Sequence, residues 1–132
     1  MDASVAVAWC FEAESTAVTD RALAIAIRGD SVAPALWPLE IGNALLTAHR
    51  GGRLNQSELT ESIQFIEGLP IELIEQSKHQ QFHSVLTLAY ANRLSCYDAS
   101  YLDLALRHKL PIATLDAALT KAAKKMGVLI FG

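Results

Sequence analysis

Apolar positions recur along this chain mostly at helical spacing, and short β-branched runs separate the helical stretches. Ser15–Arg28 (STAVTDRALAIAIR) places apolar residues at 18, 22, 25 and 26, and Gly29 stops it, so a helix is expected there. Ser31–Ala33 reads as a short strand ending at Pro34. Pro38–Arg50 reads as a helix with proline in its first turn and Gly51-Gly52 at its stop. Ser57 is expected to cap a helix running to Glu67, with Glu58 favoured near its positive end. Ile71–Ile74 reads as a strand, Lys78–Arg93 and Tyr97–Arg107 as helices, and Pro111–Thr114 as a strand. Asp116 is expected to cap a last helix ending at Lys125, with Gly127 beyond it, and Val128–Phe131 to form the last strand.

Strands separated by helices require crossover connections, hence a mainly parallel sheet covered on both faces. The expected fold is therefore α/β, three layers with helices on either side of a central parallel sheet. With 132 residues, no repeat and short connections, residues 1–132 form one domain. A chain of this size buries roughly 68% of its unfolded surface and needs no disulfide. Cys10 and Cys96 are far apart and form no C-x-x-C pair, so two free thiols in a reducing cytoplasm are expected.

No apolar run approaches the ~18 residues of a membrane span. No basic segment precedes the first apolar run, so no signal peptide is expected. The net charge of −3 argues against bulk attraction to nucleic acid but leaves room for a local basic rim.

Four acids change the picture. In open parallel sheets, ligands bind beyond the carboxyl ends of the strands. Asp2 would end a first strand, Glu40 lies in the first turn after the second, Asp116 follows PIAT, and Asp98 opens the helix in CYDASYLDLA. A carboxylate at a helix start gains ~0.3–1 kcal/mol from the dipole, so Asp98 and Asp116 could each be no more than a cap. Asp2 and Glu40, embedded in apolar sequence, are harder to explain that way. Two like charges at ~4 Å repel by about 4 kcal/mol at an effective dielectric of 20, a cost that a divalent cation removes. Oxygen ligands without histidine point to Mg²⁺ or Mn²⁺ rather than zinc.

The segments DAS, PALWPLEIGNALL, YDASYLDLA and IATLDAALTKAAKKMGV together resemble the PIN domain family, and within it the VapC-type toxins of bacterial toxin–antitoxin pairs. The resemblance covers nearly the whole chain, in order. It implies a metal-dependent endoribonuclease that hydrolyses RNA phosphodiester bonds with a metal-activated water. It maps the catalytic and metal-holding acids to Asp2, Glu40, Asp98 and Asp116, with Glu40 acting directly or through a water. Ser4 and Thr114 match the family's hydroxyl positions, which could hold a carboxylate or a metal-bound water. The resemblance also implies a small DNA-binding antitoxin as partner, and a homodimer formed through the helices between Pro38 and Glu67. The family places several apolar residues before its first acid; only Met1 precedes Asp2 here, so a truncated first strand is expected.

Spacing sorts the remaining candidates. Asn43 lies one turn from Glu40, either as a donor behind the acids or as a helix-packing group. Asp103 is turned about 140° from Asp98 and is left out of the site. His49, His79, His83 and His108 lack the H-E-x-x-H pattern and are assigned to surface or packing, and Trp9 and Trp37 to the core. Arg50, Arg53, Lys121, Lys124 and Lys125 form either a solvated face or a rim that grips phosphates. Two other classes stay open. An aspartyl-nucleophile phosphatase would want D-x-D where Asp2-Ala3-Ser4 stands. A catalytically impaired module of the same fold would act only by binding its antitoxin or RNA.

Overall fold

The computed structural model describes residues 1–132. Helix dominates it. Helix α1 (Ala3–Ala8) leads through a 3₁₀ turn to α2 (Ala17–Ile27), strand β1 (Val32–Pro34), α3 (Trp37–Arg50) and α4 (Gln56–Glu67). Strand β2 (Glu72–Ile74) precedes α5 (Lys78–Gln80), a π-helical turn (Gln81–Val85) and α6 (Leu86–Asn92), then α7 (Cys96–His108) and α8 (Ala117–Lys125).

The expected three-layer fold with a central parallel sheet does not appear. The chain is 63% helical, and its only sheet is the parallel pair β1–β2, with Val32 opposite Glu72 and Pro34 opposite Ile74. The expected strands at Pro111–Thr114 and Val128–Phe131 reduce to one parallel bridge, Ile112 to Ile130. The expected truncated first strand is instead the entry to a helix: Asp2 is extended, and α1 begins at Ala3. Single hydrogen bonds still join these segments. The Met1 nitrogen donates to the Val32 carbonyl, Asp2 N–H to Ala113, Ile112 N–H to Leu129 and Phe131 N–H to Ile112. Proline at 111 offers no N–H, and a cavity of about 270 Å³ lies between Val32 and Ile112. Met1, Tyr101 and Phe131 also line that cavity.

The helices follow their sequence signals closely. Thr16 caps α2, and Asp116 caps α8 through a bond from the Leu119 N–H at 2.8 Å. The α4 cap is Asn55 rather than Ser57, because Asn55 and Glu58 bond each other's backbone reciprocally at 2.8 and 3.0 Å. The core gathers Trp37, Ile41 and Leu45 from α3, Tyr101 and Leu102 from α7, and Leu119 from α8. Two helix ends, Arg93 and Lys109, take left-handed conformations at φ 53°, where glycine is the usual residue.

Candidate active site

Asp2 anchors the site. It is 4% exposed, and its Oδ2 accepts from Ser4 Oγ at 2.6 Å and from Thr114 Oγ1 at 2.7 Å. The clamp reaches further into the backbone. Leu115 N–H donates to Ser4 Oγ at 2.9 Å, and Asp116 N–H donates to Thr114 Oγ1 at 3.0 Å. Two hydroxyls therefore bind the start of α1 to the turn entering α8. A buried carboxylate is costly unless it is hydrogen-bonded, and this one has two charge-assisted bonds.

Glu40 enters from the first turn of α3, held by proline at the helix start and by burial of Trp37 and Ile41 on the same helix. Burial pushes its carboxyl above the ordinary range, and the negative charges of Asp2 and Asp98 push it further, while the Tyr101 hydroxyl pulls the other way. Asp98 stands in the first turn of α7, whose N-cap is Ser95. Its carboxyl is also raised, first by burial and then by Asp2 and Asp116. The structure thus puts Glu40 within electrostatic reach of Asp2 and Asp98, and Asp98 within reach of Asp2 and Asp116, from four separate segments.

Tyr101 was not singled out by sequence reasoning. It lies three residues after Asp98 on the same face of α7, and that spacing was the available signal. The residue is 2% exposed, and burial, then Glu40 and Asp2, hold its phenol well above the usual range. Its hydroxyl faces Glu40 without completing a hydrogen bond, so Tyr101 Oη and Glu40 Oε1 are both buried and unpartnered. Trp37 Nε1, one turn before Glu40, is a third such atom. Buried polar atoms without partners are rare in folded proteins, and two of these three, on Glu40 and Tyr101, face each other.

The donor chemistry suits a hard divalent cation: four carboxylates, two hydroxyls and no histidine. The orphaned Glu40 Oε1 is the specific atom that fits one. As the side chains stand, however, no group of three His, Cys, Asp or Glu residues is gathered into metal-holding geometry. Closing the set requires side-chain rotation, and Glu40, Asp98 and Asp116 are all partly exposed.

The other candidates fall as follows. Asn43 is exposed on α3 and its side chain makes no hydrogen bond; its backbone carbonyl accepts from Thr47 Oγ1 at 2.9 Å. Asp103 points away from the acids, to Arg107 at 3.0 Å and Gln76 at 3.0 Å. Arg53 stacks 4.2 Å over Phe11 and pairs with Glu14 at 3.8 Å. Arg50, Lys121, Lys124 and Lys125 are exposed, with Arg50 at the far end of α3 and Lys124 and Lys125 in the last turn of α8. His79 and His83 stack on each other at 4.2 Å, and His49 bonds the Leu54 carbonyl. Cys10 and Cys96 are free thiols, and no helix is long and apolar enough to cross a membrane. No protein-family model matches the chain, and no curated protein matches it.

Proposed function

We propose that this protein is a Mg²⁺- or Mn²⁺-dependent endoribonuclease of the VapC toxin type. The observation that carries this reading is the buried Asp2 carboxylate, clamped by Ser4 and Thr114, with Glu40 and Asp98 in its electrostatic reach and Asp116 in reach of Asp98. Asp2, Asp98 and Asp116 would hold the cation, with Glu40 directly or through a water. A bound cation supplies an acidified water and neutralises charge on the scissile phosphate. Ser4 and Thr114 hold Oδ2 of Asp2, which would leave Oδ1 for the cation. Glu40 or Asp116 would accept the proton of the water that such a cation holds.

The same reading includes an RNA substrate, a small DNA-binding antitoxin and pairing with a second copy. An apolar groove between α3 and α4, lined by Ile41, Leu45 and Ile63, supports the pairing. A second reading, a binding module that cuts nothing, is favoured by one observation: the carboxylates are not gathered into metal-holding geometry.

Pure protein incubated with RNA in Mn²⁺, in Mg²⁺ and in EDTA separates the two. Cleavage that needs the cation and disappears in Asp98→Asn supports the nuclease. RNA binding without cleavage in either metal supports the module and overturns the nuclease.

A further inference from the structure

His79 and His83 take no part in the site of the acids. They stand four residues apart on the helical run from Lys78 to Asn92, which turns π-helical over Gln81–Val85. Both are exposed, and their rings stack with centres 4.2 Å apart and planes tilted by 33°. Neither ring hydrogen-bonds to the protein, so their nitrogens stay free for a ligand.

The backbone that carries them is held at several points. Ser77 caps the run: the Gln80 N–H donates to Ser77 Oγ at 3.1 Å, and the Ser77 N–H donates to Gln80 Oε1 at 2.7 Å. Inside the π turn, Ser84 Oγ accepts from Arg107 Nη2 at 2.6 Å and donates to the Gln80 carbonyl at 3.1 Å. Val85 and Ala89 are buried against Ala99 of α7. The backbone under both histidines is thus set before any ligand arrives, and chelation costs only side-chain freedom. Single π turns of this kind occur frequently at functional sites.

Imidazole suits Zn²⁺, Ni²⁺ and Cu²⁺, whereas Mg²⁺ and Mn²⁺ prefer carboxylate, carbonyl and water oxygen. Histidines at i and i+4 on one helix face are the spacing by which H-E-x-x-H helices hold zinc. Here Gln80 stands where that pattern has its glutamate, so the pair supplies ligands without a general base. Two nitrogens each ~2.0–2.1 Å from a tetrahedral Zn²⁺ stand about 3.4 Å apart. Side-chain rotation brings nitrogens of rings centred 4.2 Å apart to that spacing. No third His, Cys, Asp or Glu joins the pair, so water fills the remaining positions.

We propose that His79 and His83 form a metal site of their own, a two-histidine clasp for a divalent transition-metal ion of the Zn²⁺, Ni²⁺ and Cu²⁺ class. It differs from the acids in its residues and in the metal it prefers, and it does not depend on the nuclease reading. The ion ties the capped first turn of the run to the π turn, and so braces the segment that packs on α7 through Val85 and Ser84.

The test titrates Zn²⁺ into the full chain in excess Mg²⁺ by calorimetry, and follows the histidine ring signals by NMR as Ni²⁺ is added. Wild type is expected to bind Zn²⁺, and Ni²⁺ to broaden the rings of His79 and His83 ahead of those of His49 and His108. His79→Gln and His83→Gln each weaken Zn²⁺ binding as far as the double substitution does, because one imidazole cannot chelate. Both variants melt at the wild-type temperature without metal and lose only the rise that Zn²⁺ brings. Asp98→Asn binds Zn²⁺ as wild type does. Zn²⁺ binding unchanged in either Gln variant overturns the site. Binding that Asp98→Asn abolishes and the double histidine variant keeps also overturns it, because the metal then sits among the acids. Wild type that binds neither Zn²⁺ nor Ni²⁺ at millimolar metal, with every histidine ring broadened alike, overturns it as well.

Discussion

Thr114 Oγ1 donates to Asp2 Oδ2 at 2.7 Å across 112 positions of chain, and the same oxygen accepts the Asp116 N–H at 3.0 Å. One hydroxyl thereby sets the distance between two acids that local structure alone could not relate. Replacing it by the near-isosteric valine removes both bonds and leaves Asp2 with Ser4 alone. Thr114→Val is expected to lower stability by about 1–3 kcal/mol, the cost of leaving buried polar groups unsatisfied. Thr114→Ser restores most of it. A urea titration of the three proteins checks the order.

Stability should fall as pH rises through the carboxylate range. Glu40 and Asp98 have folded values above their ordinary 4.5 and 3.8. In that case the folded state binds more protons than the unfolded state. Their unfavourable contribution is absent below the ordinary values and complete above the folded ones. Asp98→Asn should therefore gain stability relative to wild type at pH 7 and lose that advantage near pH 3. Thermal melts of both proteins across this window check it, and an equal difference at both ends would contradict the charge coupling.

Mn²⁺ should raise the melting temperature of wild type and leave Asp98→Asn nearly unchanged. At 100 times its Kd a ligand adds about 2.7 kcal/mol, which is on the order of 10 °C for a chain of this length. Chelation with EDTA should return wild type to its starting value. Equal shifts in the two proteins would place any bound cation away from Asp98.

Lys109→Gly should stabilise the fold by about 0.5–1 kcal/mol. Lys109 is exposed and holds φ 53° at the end of α7. A left-handed residue with a side chain costs roughly 1–2 kcal/mol, part of which glycine returns to the unfolded chain as entropy. Chemical denaturation measures the change, and activity should not move.

The helices were legible because their signals are local. Apolar spacing marked α2, Pro38 and Gly51-Gly52 bounded α3, and Gly29 and Gly127 lay at the ends of α2 and α8. The strands were less legible, because pairing depends on distant partners. PIAT and VLIF read as strands, yet they meet only at Ile112 and Ile130. No element was expected over ASVAVA, which follows the strand that Asp2 was to end; its alanines favour helix, and α1 forms there. At α4 the reciprocal Asn55–Glu58 pair outcompeted Ser57. The four acids stood out because Asp2 and Glu40 interrupt apolar sequence. Tyr101 did not, because a tyrosine on an apolar helix face looks like ordinary core until its hydroxyl is found without a partner.

The far side of α7 has a bearing on how the acids can move. Asp103 is buried and holds Arg107 and Gln76, and Arg107 reaches Ser84 in the π-helical turn at 2.6 Å. Charge-assisted bonds of this kind are worth about 1.5–3 kcal/mol each. Sliding α7 toward the other acids would break several at once. The helix behaves as a clamped beam whose free end carries Asp98, and adjustment at that end falls to the torsions of a single side chain.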